Sequence, residues 1–410
     1  MTSPAGPGPG PGRHILVCGG AGFIGSCFVR DVLARRDGTR ITVLDVLTYA
    51  GNRANLAPAE ADPEQAPRLS FVRGDIADPA AVGPLVARAD AVVNFAAESH
   101  VDRSILGPEA FLRTGVIGVY VLLEAIRHET ELARAGERRT AGGRPMTAPR
   151  LLQVSTDEVY GSVEEGSSRE GDTLAPRSPY AAAKAAGDLL VGSYRATFDL
   201  DVVLTRGANT YGPFQHPEKL IPLVATNALL GMPIPLYGDG LQRRDWLHVT
   251  DHAAAIAFVL EHGEPGAIYN VPGGTERANR EIVAALLAAL GRPWDLVRRV
   301  PDRPGHDRRY AMDGARLAAL GWRASVPFAA GLAATAAWYR DNAGWWRAIR
   351  DAGWDDYYAR QYGARIAAGE PVPTPPGWGS TSGAGPTVAV AAFPSVGPAI
   401  ELDGPEDLGA

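Results

Sequence analysis

Cysteine is nearly absent from this chain. Its two residues, Cys18 and Cys27, cannot build a disulfide framework and read as small core or surface side chains. Long apolar runs are missing as well: nothing approaches the roughly 18 residues a membrane-spanning helix needs. The opening MTSPAGPGPGPG has neither the basic start nor the apolar stretch of a signal peptide. Together these absences predict a cytoplasmic protein. Charge of one sign is not in large excess either. The formal net charge is −6 and the basic residues are scattered, so no footprint for nucleic acid exists and no metal site is expected. An acidic chain that binds an anionic substrate must therefore gather positive charge locally.

What remains is ample for folding, with 46% hydrophobic and 21% charged residues over 410 positions. Residues 1–12 offer nothing to bury and should be a disordered tail, and 370–410 reads as a low-complexity tail. Between them, apolar runs at 14–19, 41–45, 69–75, 91–97, 151–156 and 201–207 alternate with helix-length stretches, notably 22–36, 109–128 and 180–198. Continuous Val/Ile/Leu-rich runs suit strands buried on both faces, and the alternation predicts an α/β fold, a doubly wound parallel sheet of Rossmann type. The polar segment 129–149 is expected to be a solvated insertion. Past 207 the spacing turns irregular, which suggests a first domain at 13–206 and a smaller lobe at 207–363.

The string GGAGFIG, Gly19 to Gly25, follows the first strand and opens a helix. Glycines let backbone approach a pyrophosphate, whose charge the helix N-terminus stabilises. Asp45 ends the next strand, where a carboxylate binds both ribose hydroxyls and repels a 2′-phosphate, favouring NAD over NADP. Asp75 is either an adenine contact or a capping residue. Tyr180 and Lys184 are spaced by four on a helix, hence on one face. An ammonium beside a phenol should lower its pKa and make Tyr180 a base for a sugar hydroxyl. STDEVYG ends the strand at 151, where parallel sheets bind ligands. Its Thr156, Asp157 and Glu158 offer a hydroxyl donor, an acid and a base, as elimination of water demands.

These features, with LDVLTYAGN (44–52), FAAESHVDRSI (95–105), SPYAAAKAAGD (178–188), YGPFQHPEKLIP (211–222), RDWLHVTDH (244–252) and DRPGHDRRY (302–310), closely resemble the dTDP-glucose 4,6-dehydratases. These are extended short-chain dehydrogenases/reductases, and the likeness spans about residues 13–346. It implies dehydration of dTDP-glucose to the 4-keto-6-deoxy sugar nucleotide, with NAD regenerated in each turnover, for deoxysugar biosynthesis. It further implies a homodimer built on helices 109–128 and 180–198. Around NAD the resemblance places Gly19, Gly22, Phe23, Ile24, Gly25, Asp45, Val46, Leu47, Thr48, Asp75, Ile76, Phe95, Ala96, Ala97, Ser99, Thr114, Tyr180 and Lys184. Around the sugar nucleotide it places Ser99, Thr156, Asn209, Lys219, Leu220, Pro235, Leu236, Tyr237, Arg244, Asn279, Arg303, His306 and Tyr310. The family usually has Asn where this chain has Gly115, Thr210 and Gln242. A 4-epimerase, a 4,6-dehydratase of another sugar nucleotide, and a non-catalytic NAD-responsive protein are the alternatives. The adjacent Asp157 and Glu158 argue for dehydration.

Overall fold

The computed structural model describes residues 12–375. The sequence forms thirteen strands among these residues: β1 (His14–Cys18), β2 (Arg40–Asp45), β3 (Leu69–Arg73), β4 (Ala91–Asn94), β5 (Arg150–Thr156), β6 (Val202–Gly207), β7 (Asn209–Tyr211), β8 (Ile234–Tyr237), β9 (Arg243–His248), β10 (Ile268–Val271), β11 (Glu276–Ala278), β12 (Val297–Val300) and β13 (Glu370–Pro371). Seven of them make one parallel sheet in the order β3-β2-β1-β4-β5-β6-β10. The six apolar runs of the sequence are its first six strands. Neighbouring residues in a run point to opposite faces, and both faces are dry. Ile15, Val17, Val43 and Val93 pack beneath the helices Phe23–Ala34 and Val249–His262. Leu16, Leu44 and Val92 pack beneath Val119–Arg134 on the other face.

The remaining strands build the smaller lobe, as two three-stranded sheets ordered β11-β9-β7 and β13-β12-β8. Its core is Tyr211, Ile221, Leu236, Trp246, Leu286 and their neighbours. Ser178 caps the helix Pro179–Phe198 by accepting from the Ala181 amide at 3.1 Å, and Pro179 occupies its first turn without sacrificing a needed donor. That start fixes where Tyr180 and Lys184 fall.

Three expectations are corrected. A cut at 206/207 does not separate the lobes, because β10 lies beyond it and forms the edge of the large sheet against β6. The segment 129–149 is not wholly a solvated loop: the helix continues to Arg134, and Arg138 is buried. Arg138 is held there because its guanidinium donates to Glu129 at 2.9 Å and to the carbonyls of Val86, Ala89 and Thr147. The fold also reaches past 370, since β13 pairs antiparallel with β12 and the Trp294 indole donates to the Val372 carbonyl at 2.9 Å. Residues 1–11 and 376–410 of the expected tails lie outside the described residues. The helix expected at 109–128 opens as Glu109–Leu112, widens into a π-helical turn at Arg113–Gly118, and continues as Val119–Arg134.

Candidate active site

One cavity runs over the carboxyl ends of β1, β2, β4, β5 and β6, where loops from neighbouring strands diverge. At one end lies the glycine loop. Gly19 has φ of +74°, and a Cβ there would come within 2.6 Å of the Ala96 amide nitrogen, so only glycine serves. Backbone and the N-terminus of the helix Phe23–Ala34 are thereby left open to an anion. Asp45 accepts from the Ala21 amide at 2.9 Å and the Leu47 amide at 2.8 Å, which pins its carboxylate at the cavity wall. These residues fit a dinucleotide. With that carboxylate fixed, a 2′-phosphate would meet like charge, so apo protein titrated with both cofactors should bind NAD more tightly; equal or tighter NADP binding would refute the assignment.

At the other end, Thr156 terminates β5 and caps the turn Asp157–Tyr160, accepting from the Glu158 amide at 3.3 Å. Its hydroxyl lies 3.1 Å from Asp157 Oδ1, as a hydrogen-bond donor. Asp157 Oδ2 is buried and has no partner among the described residues. Burial, reinforced by the neighbouring Glu158 charge, pushes Asp157 up to about 8, so it keeps a proton at neutral pH. Burial also raises Glu158, which Arg303, Lys219 and Arg244 pull the other way. The two adjacent carboxyls thus differ in environment, as an acid and a base must.

The Tyr180–Lys184 pair departs from expectation. Burial, then Glu158, pushes the Tyr180 phenol well up rather than down. Lys184 Nζ donates to the Val154 carbonyl at 2.6 Å, and desolvation lowers it to about 8 against the pull of Asp188. The ammonium is thus engaged by backbone, and desolvation outweighs its help to the phenol.

All five candidate catalytic residues line this cavity, together with every candidate cofactor residue except Leu47. Leu47 instead turns the chain, with φ of +57°. Ser99, Thr156, Asn209 and Lys219 of the substrate set line it too. Leu220, Pro235, Leu236, Tyr237, Arg244, Asn279, Arg303, His306 and Tyr310 do not, but several gather in two groups, around Asp102 and around Asp307. Arg303 and Tyr237 both bond Asp102, at 3.3 and 2.7 Å. Arg244 donates to the Asp307 carbonyl at 2.9 Å and lies 4.1 Å over the Tyr310 ring. Arg303, Arg244 and Lys219 thus gather positive charge within reach of Glu158. Sequence reasoning missed Glu98, Gln215, His216 and His252 in the cavity lining. All four sat inside motifs already singled out, but nothing in the sequence distinguishes them there from their neighbours.

The three departures each have a place. Gly115 sits in the π-helical turn, where a Cβ would come within 3.1 Å of Ala183, so glycine permits close packing on the helix that carries Tyr180. Gln242 is buried and donates to Asp302 at 2.8 Å. Thr210 bonds the Ala208 carbonyl at 3.1 Å and His252 Nδ1 at 2.7 Å.

A family model described as GDP-mannose 4,6 dehydratase matches residues 16–335. Over 342 residues the chain is 50% identical to a dTDP-glucose 4,6-dehydratase of Streptomyces niveus, covering 82% of this chain and 96% of that protein. It is 47% identical to the low-salt glycan biosynthesis protein Agl12 of Haloferax volcanii, over 79% of this chain and 98% of that one. Among solved structures, a dTDP-glucose 4,6-dehydratase from Streptomyces venezuelae with NAD and TYD bound superposes with a TM-score of 0.73 at 50% identity, covering 82% and 100% of the two chains. A UDP-glucose 4-epimerase from Thermus thermophilus in complex with NAD gives 0.69 at 32% identity, covering 80% and 100%.

Proposed function

We propose, from the premise that the chain belongs to the dTDP-glucose 4,6-dehydratase family of sugar-nucleotide dehydratases, that it is an NAD-dependent enzyme converting dTDP-glucose to dTDP-4-keto-6-deoxyglucose. The observation that carries this reading is the buried Asp157, which retains its proton beside Thr156, Glu158 and Tyr180 in one cavity with the glycine loop and Asp45. A 4-epimerase needs no acid for a departing hydroxyl.

NAD, when bound, supplies the hydride acceptor and returns the hydride within the turnover. Tyr180, in the phenolate form that burial makes the minor one in the free protein, takes the proton from the C4 hydroxyl, and Thr156 steadies that oxygen. Once C4 is a ketone, the C5 proton is acidic and passes to Glu158. Asp157 delivers its proton from Oδ2 to the C6 hydroxyl, which leaves as water, and Glu158 returns a proton to C5 as C6 regains the hydride. Lys219 and the Arg244 and Arg303 cluster hold the diphosphate. Incubation with dTDP-glucose should yield a product lighter by one water. Recovery of only a C4 epimer would defeat the reading.

A homodimer completes the proposal. Leu106, Leu112, Ile117, Tyr120 and Leu189 are large, apolar and exposed on the segments 101–134 and 179–198. The two long helices of those segments pack against each other, so two copies could form a four-helix interface. Light scattering at micromolar concentration should report a dimer, and Leu106→Glu with Leu189→Glu should shift it to monomer; a wild-type monomer would overturn this part. Among the described residues no helix is long and apolar enough to cross a membrane, and we place the enzyme in the cytoplasm.

A further inference from the structure

The end of β6 carries a histidine for which the reaction above has no use. His252 stands in the first turn of the helix Val249–His262, is buried, and lines the cavity together with Gly207, Ala208, Asn209 and Thr210. In the sheet, Gly207 pairs with Thr156, so this is the end of the cavity where the chemistry takes place. The ring edge bearing Nε2 and Cε1 faces Gly207 so closely that a Cβ on residue 207 would fall 2.4 Å from Cε1. Glycine at 207 therefore makes room for the imidazole. Its Nε2 is buried and has no partner among the described residues.

The hydrogen bonds of Thr210 fix what that nitrogen can do. A threonine hydroxyl has one proton to give. The Ala208 carbonyl, 3.1 Å away, only accepts, so both contacts of the hydroxyl are made at once only when its proton goes there. The contact of 2.7 Å between Thr210 Oγ1 and His252 Nδ1 is then a bond donated by Nδ1–H. That selects the tautomer in which Nε2 carries a lone pair and no proton. Desolvation lowers His252 to about 4, in keeping with a neutral ring.

We propose that His252, oriented by Thr210, accepts a hydrogen bond at Nε2 from the carboxamide NH2 of the nicotinamide. This rests on the NAD reading given above. An unpaired lone pair at the reacting end of a dinucleotide cavity calls for a donor, and the carboxamide carries the only N–H donors at the nicotinamide end of the cofactor. The hydroxyl of Thr210 is already spent on Ala208 and the imidazole, so the histidine, not that hydroxyl, meets the carboxamide. Such a bond would fix which way the carboxamide points and with it the face of the ring turned toward the sugar.

The test compares NAD with 3-acetylpyridine adenine dinucleotide, which replaces the NH2 by a methyl group. Affinities are measured by calorimetry on protein stripped of cofactor, so the readout does not depend on turnover. In wild type NAD should bind about 10-fold more tightly than the analogue, the loss of one hydrogen bond that leaves a buried acceptor unpaired. His252→Phe should weaken NAD by about 10-fold and leave the analogue within about 3-fold, erasing the preference. Thr210→Val, which keeps the ring but frees its tautomer, should reduce the preference in part, and circular dichroism confirms that each variant is folded. An equal loss for both dinucleotides would make His252 a packing residue and overturn the inference, as would an unchanged preference in His252→Phe. Wild-type protein that binds neither dinucleotide would overturn the cofactor reading itself and this inference with it.

Discussion

Asp157→Asn should leave an enzyme that oxidises its substrate and then stalls. The amide keeps the shape of the side chain and its contact with Thr156, but it has no proton to release to the C6 oxygen. Oxidation at C4 depends on Tyr180 and Thr156, which are untouched. Single-turnover absorbance should therefore show the reduced nicotinamide accumulating, while loss of water slows by about 10²- to 10⁴-fold, the usual share of general acid catalysis. Glu158→Gln should also permit oxidation but suppress deuterium incorporation at C5, and Tyr180→Phe should give no reduced-nicotinamide signal. A wild-type dehydration rate in Asp157→Asn would show that another group is the acid. In the wild type, turnover should fall as pH rises through about 8, where Asp157 loses its proton and the desolvated Lys184 its charge. The same raised carboxyl bears on stability. Its folded-state value lies above that of an unfolded Asp, so its contribution is fully present below the unfolded value and is lost as pH climbs toward 8.

Asp188→Ala should cost about 3 to 5 kcal/mol of folding stability, the range for removing one partner of a buried ion pair. Asp188 Oδ2 accepts from Arg206 Nε at 3.0 Å, and both side chains are almost wholly excluded from solvent. The alanine variant leaves the Arg206 charge buried. Donation to the Tyr160 hydroxyl and the Glu170 carbonyl softens the loss, which favours the lower end of the range. It also strips Lys184 of the anion that opposes its desolvation, so the lysine should be neutral at lower pH. Urea titrations of cofactor-free protein measure the first effect. A loss below about 1 kcal/mol would show that Arg206 finds enough compensation elsewhere.

Asp188 also shows where sequence reasoning ends. It lies inside the block SPYAAAKAAGD, yet nothing in one dimension says that its partner is an arginine on β6. The first six strands were legible because burial on both faces demands uninterrupted apolar runs. The strand at 268–271 was not, since it follows the irregular stretch past 207 and belongs to a sheet begun far upstream. Asp157 and Glu158 could be named because strand ends of parallel sheets collect ligands. Their different environments could not, because the cations that set Glu158 apart come from residues 219 and 303. The rule that an ammonium depresses its neighbouring phenol failed for the same reason. It counted a charge and could not see the burial of the phenol, or the nearby Glu158, that push it the other way.

The position of β10 bears on how this molecule comes into being. Every residue of β6 is buried, and one of its two edges is covered by β10, some sixty residues further along the chain. During synthesis at about 5 to 20 residues per second, β6 waits several seconds before its neighbour has even been made. Throughout that interval an apolar strand presents an open hydrogen-bonding edge, the template on which unrelated chains join. A nascent chain halted after 207 should therefore aggregate or recruit a chaperone, and one halted after 271, with its last strand free of the ribosome, should not.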